Sequence, residues 1–376
     1  MKRPQNWYIA IKGYKNYTRW NLTPAVVPSL VPASNPVTND EDEDELLLLL
    51  QDTDYSIKKN NITITASTKF GGAISSVKVN GIEFIDSYDH GRELQSALNA
   101  SIEPSAIFIS EIYNPTEAGS SSDARNSTST SKIINISTNN NTLTNKTQMA
   151  YWLRPGEKSF GNLALNTSPL SNNFLSKIVS FNSNINNVVD YTVTFTVPSK
   201  QKKQNVPSNQ NGESYYFLQF EVLTGYMPIE FSNFWTFQNN NLETLSNQED
   251  GEQSYPILFS NKNNDMAMGV VVAKRTTYVT TNNQYGQYGR FTFTNQNTQV
   301  DGGSVGEKSS LVKWNYVFRI WPELINKADG IITSGTAPLN ETQKDQKDYT
   351  FPLYLVIGTK SECLIALQTL ASKNLI

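Results

Sequence analysis

The chain has 376 residues, of which 38% are hydrophobic and 17% charged, and its formal net charge is −3. This length suits one large β domain or two ordinary domains, and the charge balance argues against a general nucleic-acid-binding protein, which would carry a basic patch or stripe. The single cysteine, Cys363, excludes an intrachain disulfide. One cysteine and one histidine, His90, are too few ligands for a structural zinc site. A calcium site stays open, because calcium takes oxygen ligands.

The first 55 residues differ in composition from the rest of the chain. Proline recurs every four residues from Pro24 to Pro36, which disfavours both a helix and a central strand. The acidic block at residues 40–45 is typical of a solvated segment, although such a block can also bind a basic partner or calcium. We therefore predict a disordered or extended arm over residues 1–55 and a single large β-sandwich domain over residues 56–376.

Export and membrane signals are missing from the sequence as given. The N-terminus starts basic but lacks the continuous apolar stretch of a signal peptide. The longest aliphatic run, residues 46–50, is too short to cross a bilayer. We predict no membrane span and no signal peptide, and an extracellular location stays open if the N-terminus is incomplete.

Strand patterns begin near residue 61. Residues 61–66 and 191–197 alternate apolar with polar side chains, which is the period of a half-buried strand. Residues 266–273 are nearly all apolar and predict a fully buried strand. Further strands are predicted at residues 215–223, 290–294, 316–320 and 353–357.

The clearest predicted hairpin lies between residues 70 and 85. Asn80 and Gly81 separate two apolar runs, and a type I′ turn needs a positive φ at both central residues, which this pair tolerates. The first run opens as Phe70-Gly71-Gly72-Ala73 and the second ends as Phe84-Ile85.

Helix signals are scarce. Thr359 followed by Glu362 three residues later forms a capping box, and an apolar face continues to about residue 372. A second, short helix is predicted over residues 91–98, with poorly marked ends. Many strands, few helices and no detectable repeat together predict an all-β fold: a large antiparallel β-sandwich with a short C-terminal helix.

Four short segments combine carboxylates, arginine, amides and aromatic rings: residues 88–95, 112–119, 149–157 and 223–230. Sugar hydroxyls take hydrogen bonds from such polar groups, and the apolar faces of sugar rings pack on tyrosine and tryptophan. Histidine is the one side-chain type whose ordinary pKa lies near neutrality, so we predict His90 as an acid-base group, with Glu117 or Glu221 as its complement. The residues predicted to bind the sugar are Asp89, Arg92, Gln95, Tyr113, Asn114, Trp152, Arg154 and Tyr226.

Structural interpretations of the same residues stay open. His90 can be a buried histidine bonded to a backbone carbonyl, and Arg92 can form an ion pair with Asp89 or Glu93 that only stabilises the fold. Residues 113–115 can be a simple turn, because asparagine before proline favours turns. Trp152 can belong to the core, and Glu117 can be a solvated loop carboxylate.

The segment from Phe70 to Ile85 resembles the opening hairpin of the galactose mutarotase-like supersandwich. This resemblance implies carbohydrate chemistry on a concave sheet, such as epimerisation of a sugar hemiacetal, or lyase or hydrolase activity. Aldose epimerases of this group pair a histidine acid with a glutamate base. The resemblance would assign the acid role to His90, although His90 lies outside the histidine motif of those epimerases and no glutamate is matched by motif.

We therefore expect a carbohydrate-active protein that binds or acts on a sugar or polysaccharide in a concave β-sheet cleft, with histidine and carboxylate acid-base chemistry and no cofactor. The enzyme classes in view are sugar epimerase, lyase and glycoside hydrolase. The alternative is a non-catalytic β-sandwich that binds glycan or has a structural or assembly role.

Overall fold

The computed structural model describes residues 52–88, 90–101, 110–123, 127–198, 217–245, 250–253, 255–273, 288–301, 308–320 and 346–376. Nearly all regular structure in them is β, with one α-helix at the C-terminus, which confirms the predicted all-β class. The predicted arm, residues 1–55, lies outside the described residues except for residues 52–55, and its separation from a single domain stays a prediction.

A small antiparallel sheet opens the described chain. Its strands are β1 (Asp54–Lys59), β2 (Ile62–Ser67), β3 (Ile74–Val79) and β4 (Ile82–Glu83), hydrogen-bonded in that order. In the turn between β3 and β4, φ is 53° at Asn80 and 83° at Gly81. The predicted hairpin, with a positive φ at both turn residues, is thus confirmed.

Most of the remaining strands belong to one large antiparallel sheet. They are β5 (Gln95–Ser101), β6 (Pro115–Thr116), β7 (Lys132–Asn139), β8 (Thr142–Tyr151), β11 (Leu170–Phe181), β12 (Val188–Pro198), β13 (Phe217–Pro228), β14 (Asn233–Gln238), β15 (Asn241–Thr244), β16 (Asp250–Gln253), β17 (Ile257–Ser260), β18 (Ala267–Val272), β19 (Tyr288–Asp301), β20 (Lys308–Ile320) and β21 (Gln346–Gly358). The short strands β9 (Lys158–Ser159) and β10 (Asn162–Leu163) pair only with each other, and 3₁₀ helices span Thr68–Phe70 and Ser110–Tyr113.

The large sheet folds back on itself to enclose the core. Its strand order is β15-β14-β17-β18-β21-β12-β11-β8-β6-β5-β13-β20-β19-β16, and β7 pairs with β8. Phe220 on β13 packs against Phe195 on β12 and Phe351 on β21, with ring centroids 5.0 and 5.3 Å apart. Phe318 on β20 also lies 5.3 Å from Phe351. Strands from the two halves of the sheet therefore face each other across aromatic contacts, and the predicted β-sandwich is confirmed.

The C-terminal helix α1 (Lys360–Ser372) packs against β18 and β21. The Thr359 hydroxyl accepts a hydrogen bond from the Glu362 backbone N–H, and the Glu362 carboxylate accepts one from the Thr359 N–H, which confirms the capping box. Cys363 is fully buried in the helix interface, and burial raises the pKa of its thiol well above the ordinary value.

The short helix predicted over residues 91–98 is wrong. Gly91 has a φ of 99°, outside the helical region, and residues from Gln95 onward belong to β5. Gln95 pairs with Thr224 and Ala97 with Glu221 on β13. Because these long-range pairs satisfy the backbone of the segment, its local helical pattern does not decide its conformation.

Candidate functional site

One face of β5, β13 and β20 points away from the core and is polar. Leu218, Phe220 and Phe318 point into the core, so the residues that alternate with them occupy the opposite face. Directly opposed residues on paired strands share that face. We call this surface the Glu221 face; its polar residues are Gln95 and Asn99 on β5, Gln219, Glu221, Thr224 and Tyr226 on β13, and Lys313, Asn315 and Arg319 on β20.

A β-bulge in β13 shapes the Glu221 face. On β20, Val317 pairs with Glu221 and the next residue, Tyr316, pairs with Leu223, so Val222 is an extra residue on β13. Val222 and Leu223 both point into the core. Glu221 and Thr224, three positions apart, therefore lie on the same face, as expected of a bulge that redirects side chains.

The Glu221 carboxylate lies half-buried on this face and is held through both oxygens. Asn99 Nδ2 donates to Glu221 Oε1 at 3.1 Å, and Thr224 Oγ1 donates to Glu221 Oε2 at 3.1 Å. A carboxylate offers about four lone-pair sites, so these two bonds leave acceptor capacity for ligand hydroxyls. The arrangement gives an oriented carboxylate that is partly accessible.

Basic and amide groups lie on the same face as this carboxylate. Arg319 Nε donates to Gln219 Oε1 at 2.5 Å, and Lys313 Nζ lies 5.0 Å from the centre of the Tyr226 ring, within cation–π range. The amide oxygen of Asn99 is buried without a hydrogen-bond partner. Asn99 is fully buried, so its observed role at the site is to hold the Glu221 carboxylate through its amide nitrogen.

Trp152 lies at the edge of the same face. Its half-buried indole packs against Gly91, where an added Cβ would come within 2.9 Å of two ring carbons. The Gly91 carbonyl accepts a hydrogen bond from Gln95 Nε2 at 3.0 Å, and Gln95 is the strand partner of Thr224. Trp152, Gln95 and the Glu221 face are thus connected through Gly91.

His90 is buried, with 4% of its surface exposed. Nδ1 lies 2.8 Å from the Ala118 carbonyl oxygen and Nε2 lies 2.7 Å from that of Ser127, while the ring packs edge-on against Phe70 at 4.9 Å. A neutral imidazole has one N–H and satisfies one of these oxygens, whereas the imidazolium satisfies both. Its predicted acid-base role stays a prediction, and Asp89 lies outside the described residues.

Arg92 is also buried, and its guanidinium forms an ion pair with Asp86 at 3.8 Å. Its guanidinium lies 5.4 Å from the centre of the Tyr88 ring. The carboxylate of Glu93 accepts a hydrogen bond from the Gly91 N–H. Asp86 and Tyr88, both close to Arg92 in the chain, thus contact its guanidinium.

Glu117 lies in the interior and not on the Glu221 face. Its carboxylate contacts Lys177 Nζ at 2.5 Å, and both side chains are fully buried. The Ser96 backbone N–H donates to the other carboxylate oxygen at 3.2 Å. The interpretation of Glu117 as a solvated loop carboxylate is wrong, because the side chain is enclosed and paired.

The remaining predicted residues lie in three different settings. Tyr113 is fully buried, accepts a hydrogen bond from Asn173 and packs edge-on against Tyr151. Asn114 is half-buried, and its carbonyl accepts from the Trp152 N–H. Arg154 is exposed in a turn closed by bonds to Glu157. The structure thus brings together Gln95, Glu221, Tyr226 and Trp152 from the predicted set.

Sequence reasoning missed Asn99, Thr224, Gln219 and Arg319. Each is a polar residue at an alternate position of a predicted or observed strand, and this alternation marks a non-core face. Their convergence depends on the pairing of β5 with β13 and of β13 with β20, and on the bulge at Val222, which local patterns do not specify.

Metal and membrane features can be stated for the described part of the chain only. It contains no group of three or more histidine, cysteine, aspartate or glutamate side chains placed to hold a metal ion. No helix within those residues combines the length and apolarity needed to cross a membrane.

No protein-family model matches the sequence, and no curated protein sequence matches it. Solved structures that are similar include the GalM/aldose epimerase homologue from C. elegans, with a TM-score of 0.35, 8% identity, and coverage of 82% of this chain and 99% of that chain. A galactose mutarotase-like protein from Clostridium acetobutylicum gives a TM-score of 0.34 and 7% identity, covering 81% of this chain and 94% of that one.

A third similar structure is 4-alpha-glucanotransferase from Thermococcus litoralis, with a TM-score of 0.30, 8% identity, and coverage of 80% of this chain and 37% of that chain. Galactose mutarotase-like and aldose epimerase structures, the group that the opening hairpin resembles, are thus among the structural matches. At these identities and TM-scores the likeness is one of general outline and says nothing about a reaction.

Proposed function

We propose that this protein binds a sugar on the Glu221 face and that Glu221 is the general base of a reaction on that sugar. The observation that carries the proposal is the half-buried Glu221 carboxylate, oriented by Asn99 and Thr224 and with acceptor capacity left over. A sugar hydroxyl bonded to such a carboxylate has a proton acceptor at the distance that general-base catalysis needs.

The groups around Glu221 suit a polyhydroxylated ligand. Glu221, Tyr226 and Lys313 are partly exposed on this face, so a sugar hydroxyl can donate to Glu221 while Tyr226 and Lys313 bind others. The Trp152 indole at the edge of the face offers a large rigid surface for the apolar side of a sugar ring. Arg319 and Lys313 supply positive charge on the same face, which would suit a uronic acid carboxylate.

His90 remains the proposed acid that complements Glu221. The proposal requires His90 to exchange its contact with the Ser127 carbonyl for a ligand, and Ser127 lies in an exposed segment. The Ala118 carbonyl oxygen contacts His90 Nδ1, and the Ala118 N–H donates to Gln95 Oε1 at 3.0 Å. Because Gln95 belongs to the Glu221 face, these contacts support a position of His90 near the edge of that face.

The test uses the full chain and a panel of neutral monosaccharides, uronic acids and their short oligomers. Binding is measured by saturation-transfer NMR and calorimetry, and anomer exchange or bond cleavage is followed by NMR. Glu221→Gln keeps the size of the side chain and removes the charge, and we expect it to weaken binding at least about tenfold, since one hydrogen bond to a charged group is worth about 1.5–3 kcal/mol. Glu230→Gln, at an exposed residue just beyond β13, is the matched control and should bind like the parent.

Each outcome bears on a different part of the proposal. If no sugar of the panel binds, or if Glu221→Gln binds as the parent does, the site is wrong. If sugar binds but no product forms, the base role is wrong and the sugar site stands. If turnover survives in His90→Gln but is lost in Glu221→Gln, the acid role of His90 is wrong.

A further inference from the structure

A buried polar cluster lies on the inner face of the strand pair β8 and β11. Lys177 and Asn145 are directly opposed on these two strands, and their side chains are 1% and 4% exposed. Lys177 Nζ donates to Glu117 Oε1 at 2.5 Å and to the Gly72 carbonyl at 2.8 Å. Asn145 Nδ2 donates to the same two oxygens, at 3.3 and 3.2 Å. The amine and the amide are therefore held side by side by one pair of acceptors.

The Gly71-Gly72 backbone closes the cluster at a position where no other residue type fits. Both glycines have positive φ, 63° and 86°. A Cβ on Gly72 would lie 2.4 Å from Asn145 Nδ2, and one on Gly71 would lie 2.3 Å from the Glu117 carbonyl oxygen. The paired glycines of the opening hairpin thus allow a backbone carbonyl to reach Lys177 and Asn145.

From this juxtaposition we propose that Lys177 and Asn145 are joined by an isopeptide bond that forms within the folded chain, with Glu117 as the acid-base group. The three side chains supply an amine, a carboxamide and a carboxyl group that accepts hydrogen bonds from both, and their enclosure keeps out water that would compete for the amide. The proposal is independent of the sugar site, which lies on a different set of side chains.

The reaction balances without any further reactant. A proton passes from Lys177 Nζ to the Glu117 carboxylate, and the neutral amine attacks Asn145 Cγ. The Nζ–Cγ bond forms, Glu117 carries a proton to the amide nitrogen, and the Cγ–Nδ2 bond breaks. The leaving nitrogen departs as ammonia, Glu117 keeps one proton as a neutral carboxyl group so that no unpaired charge stays buried, and no group is oxidised or reduced.

The surroundings of Lys177 favour the amine as nucleophile. Burial lowers the pKa of Lys177 below its ordinary value, and the charge and hydrogen bond of Glu117 act in the opposite direction. A lysine desolvated in this way is more readily deprotonated, which is one of the ways in which proteins activate lysine as a nucleophile.

The test is the mass of the purified full chain, measured intact and after digestion. We expect the intact mass to fall below the composition by the mass of one ammonia molecule. Digestion should yield one branched peptide that contains both Asn145 and Lys177. This second measurement is needed because cyclisation at an isolated asparagine or at the N-terminus would lower the mass equally but would not link two peptides. Separate, unmodified peptides for these two residues in the parent chain would overturn the proposal whether or not any variant folds.

Variants test the individual roles. Lys177→Arg and Glu117→Gln are expected to show the full composition mass, and Lys146→Arg, at an exposed lysine on β8, is the matched control that should keep the link. A link that persists in Glu117→Gln would contradict the role of Glu117. A link that is absent from Lys146→Arg but present in the parent would contradict the assignment to Lys177.

Discussion

Asn99 donates a hydrogen bond to the Glu221 carboxylate at 3.1 Å, although the two residues are 122 positions apart in the chain. The contact exists because β5 and β13 pair in a register that sets Asn99 opposite Gln219. Glu221 is two residues after Gln219 on β13, so its side chain lies on the same face, next to Asn99. The opposite side of Glu221 is held by Thr224, which the bulge at Val222 turns onto that face. A long-range pairing and a local irregularity together orient one carboxylate.

Thr224→Val should weaken sugar binding while leaving the fold intact. Valine keeps the shape of threonine but removes the hydroxyl that donates to Glu221 Oε2, so one oxygen of the carboxylate loses its orientation. We expect the dissociation constant to rise about tenfold, the lower limit for a hydrogen bond to a charged group. Calorimetry with the best sugar of the panel measures the change.

Thr236→Val is the control for Thr224→Val. Thr236 is buried on β14, and its hydroxyl has no hydrogen-bond partner. The same substitution there should leave sugar affinity unchanged. Equal affinities for the parent and Thr224→Val would show that Thr224 does not position Glu221.

Lys177→Met should destabilise the protein strongly. Methionine nearly fills the space of the lysine stem, but it leaves the Glu117 carboxylate buried without its cation and cannot form the proposed link to Asn145. Removing one partner of a buried ion pair costs about 3–5 kcal/mol, because the remaining charge is uncompensated. Chemical unfolding followed by circular dichroism measures the free energy of unfolding of the variant against that of the parent.

The double variant Glu117→Gln with Lys177→Met tests the cause of this loss. Because no charge stays buried in it, we expect it to recover part of the stability that Lys177→Met loses. A double variant less stable than Lys177→Met would show that the uncompensated carboxylate is not the main cause.

Local patterns in the sequence predict the elements of this fold well. Alternation at residues 61–66 and 191–197 corresponds to β2 and β12, the Asn80-Gly81 pair forms the predicted turn, and Thr359 with Glu362 forms the predicted cap. In each case the determining interaction lies within a few residues of the signal. The class of the fold then follows from the excess of strands.

The positions of Glu117 and Lys177 depend on contacts that no local pattern reveals. Lys177 lies in an alternating strand at a position where the pattern predicts an apolar, core-facing side chain. A lysine can be buried there because it pairs with Glu117, 60 positions away. Glu117 follows a two-residue strand and precedes a serine-rich loop, a context typical of exposed residues. Pairing across distant strands decides both positions.

Gly225→Ala should destabilise the sheet beside the Glu221 face. A Cβ at Gly225 would lie 2.5–2.8 Å from atoms of the Trp314 indole, which is almost fully buried. The indole also donates to Met227 Sδ at 3.3 Å, so its displacement would disturb a second contact. We expect a loss of about 1–3 kcal/mol, the usual range for overpacking a core, in the free energy of unfolding by urea.

Trp314→Phe in the Gly225→Ala background separates the clash from other effects of alanine. A smaller ring should relieve the clash, so Gly225→Ala should cost less there than in the parent. The same cost in both backgrounds would show that Trp314 does not require glycine at position 225.

Tyr191→Phe should cost little at neutral pH and should stabilise the protein relative to the parent in alkali. The Tyr191 hydroxyl is fully buried and has no hydrogen-bond partner in the structure, so its removal leaves no other group unsatisfied. Burial, followed by the charge of Glu117, raises the pKa of Tyr191 well above its ordinary value of 10.0. The folded protein therefore keeps this proton at pH values where the unfolded chain releases it.

The sign of the pH dependence follows from this difference. Above about pH 10 the unfolded chain binds fewer protons at Tyr191 than the folded protein does, so the stability of the parent falls as pH rises, by up to about 1.4 kcal/mol per pH unit for this one group. Phenylalanine does not ionise, and the free energy of unfolding of Tyr191→Phe minus that of the parent should rise from pH 9 to pH 11.

Tyr255→Phe, at a half-exposed ring, is the matched control. Parallel curves for Tyr191→Phe and the parent would show that Tyr191 ionises alike in the folded and unfolded states.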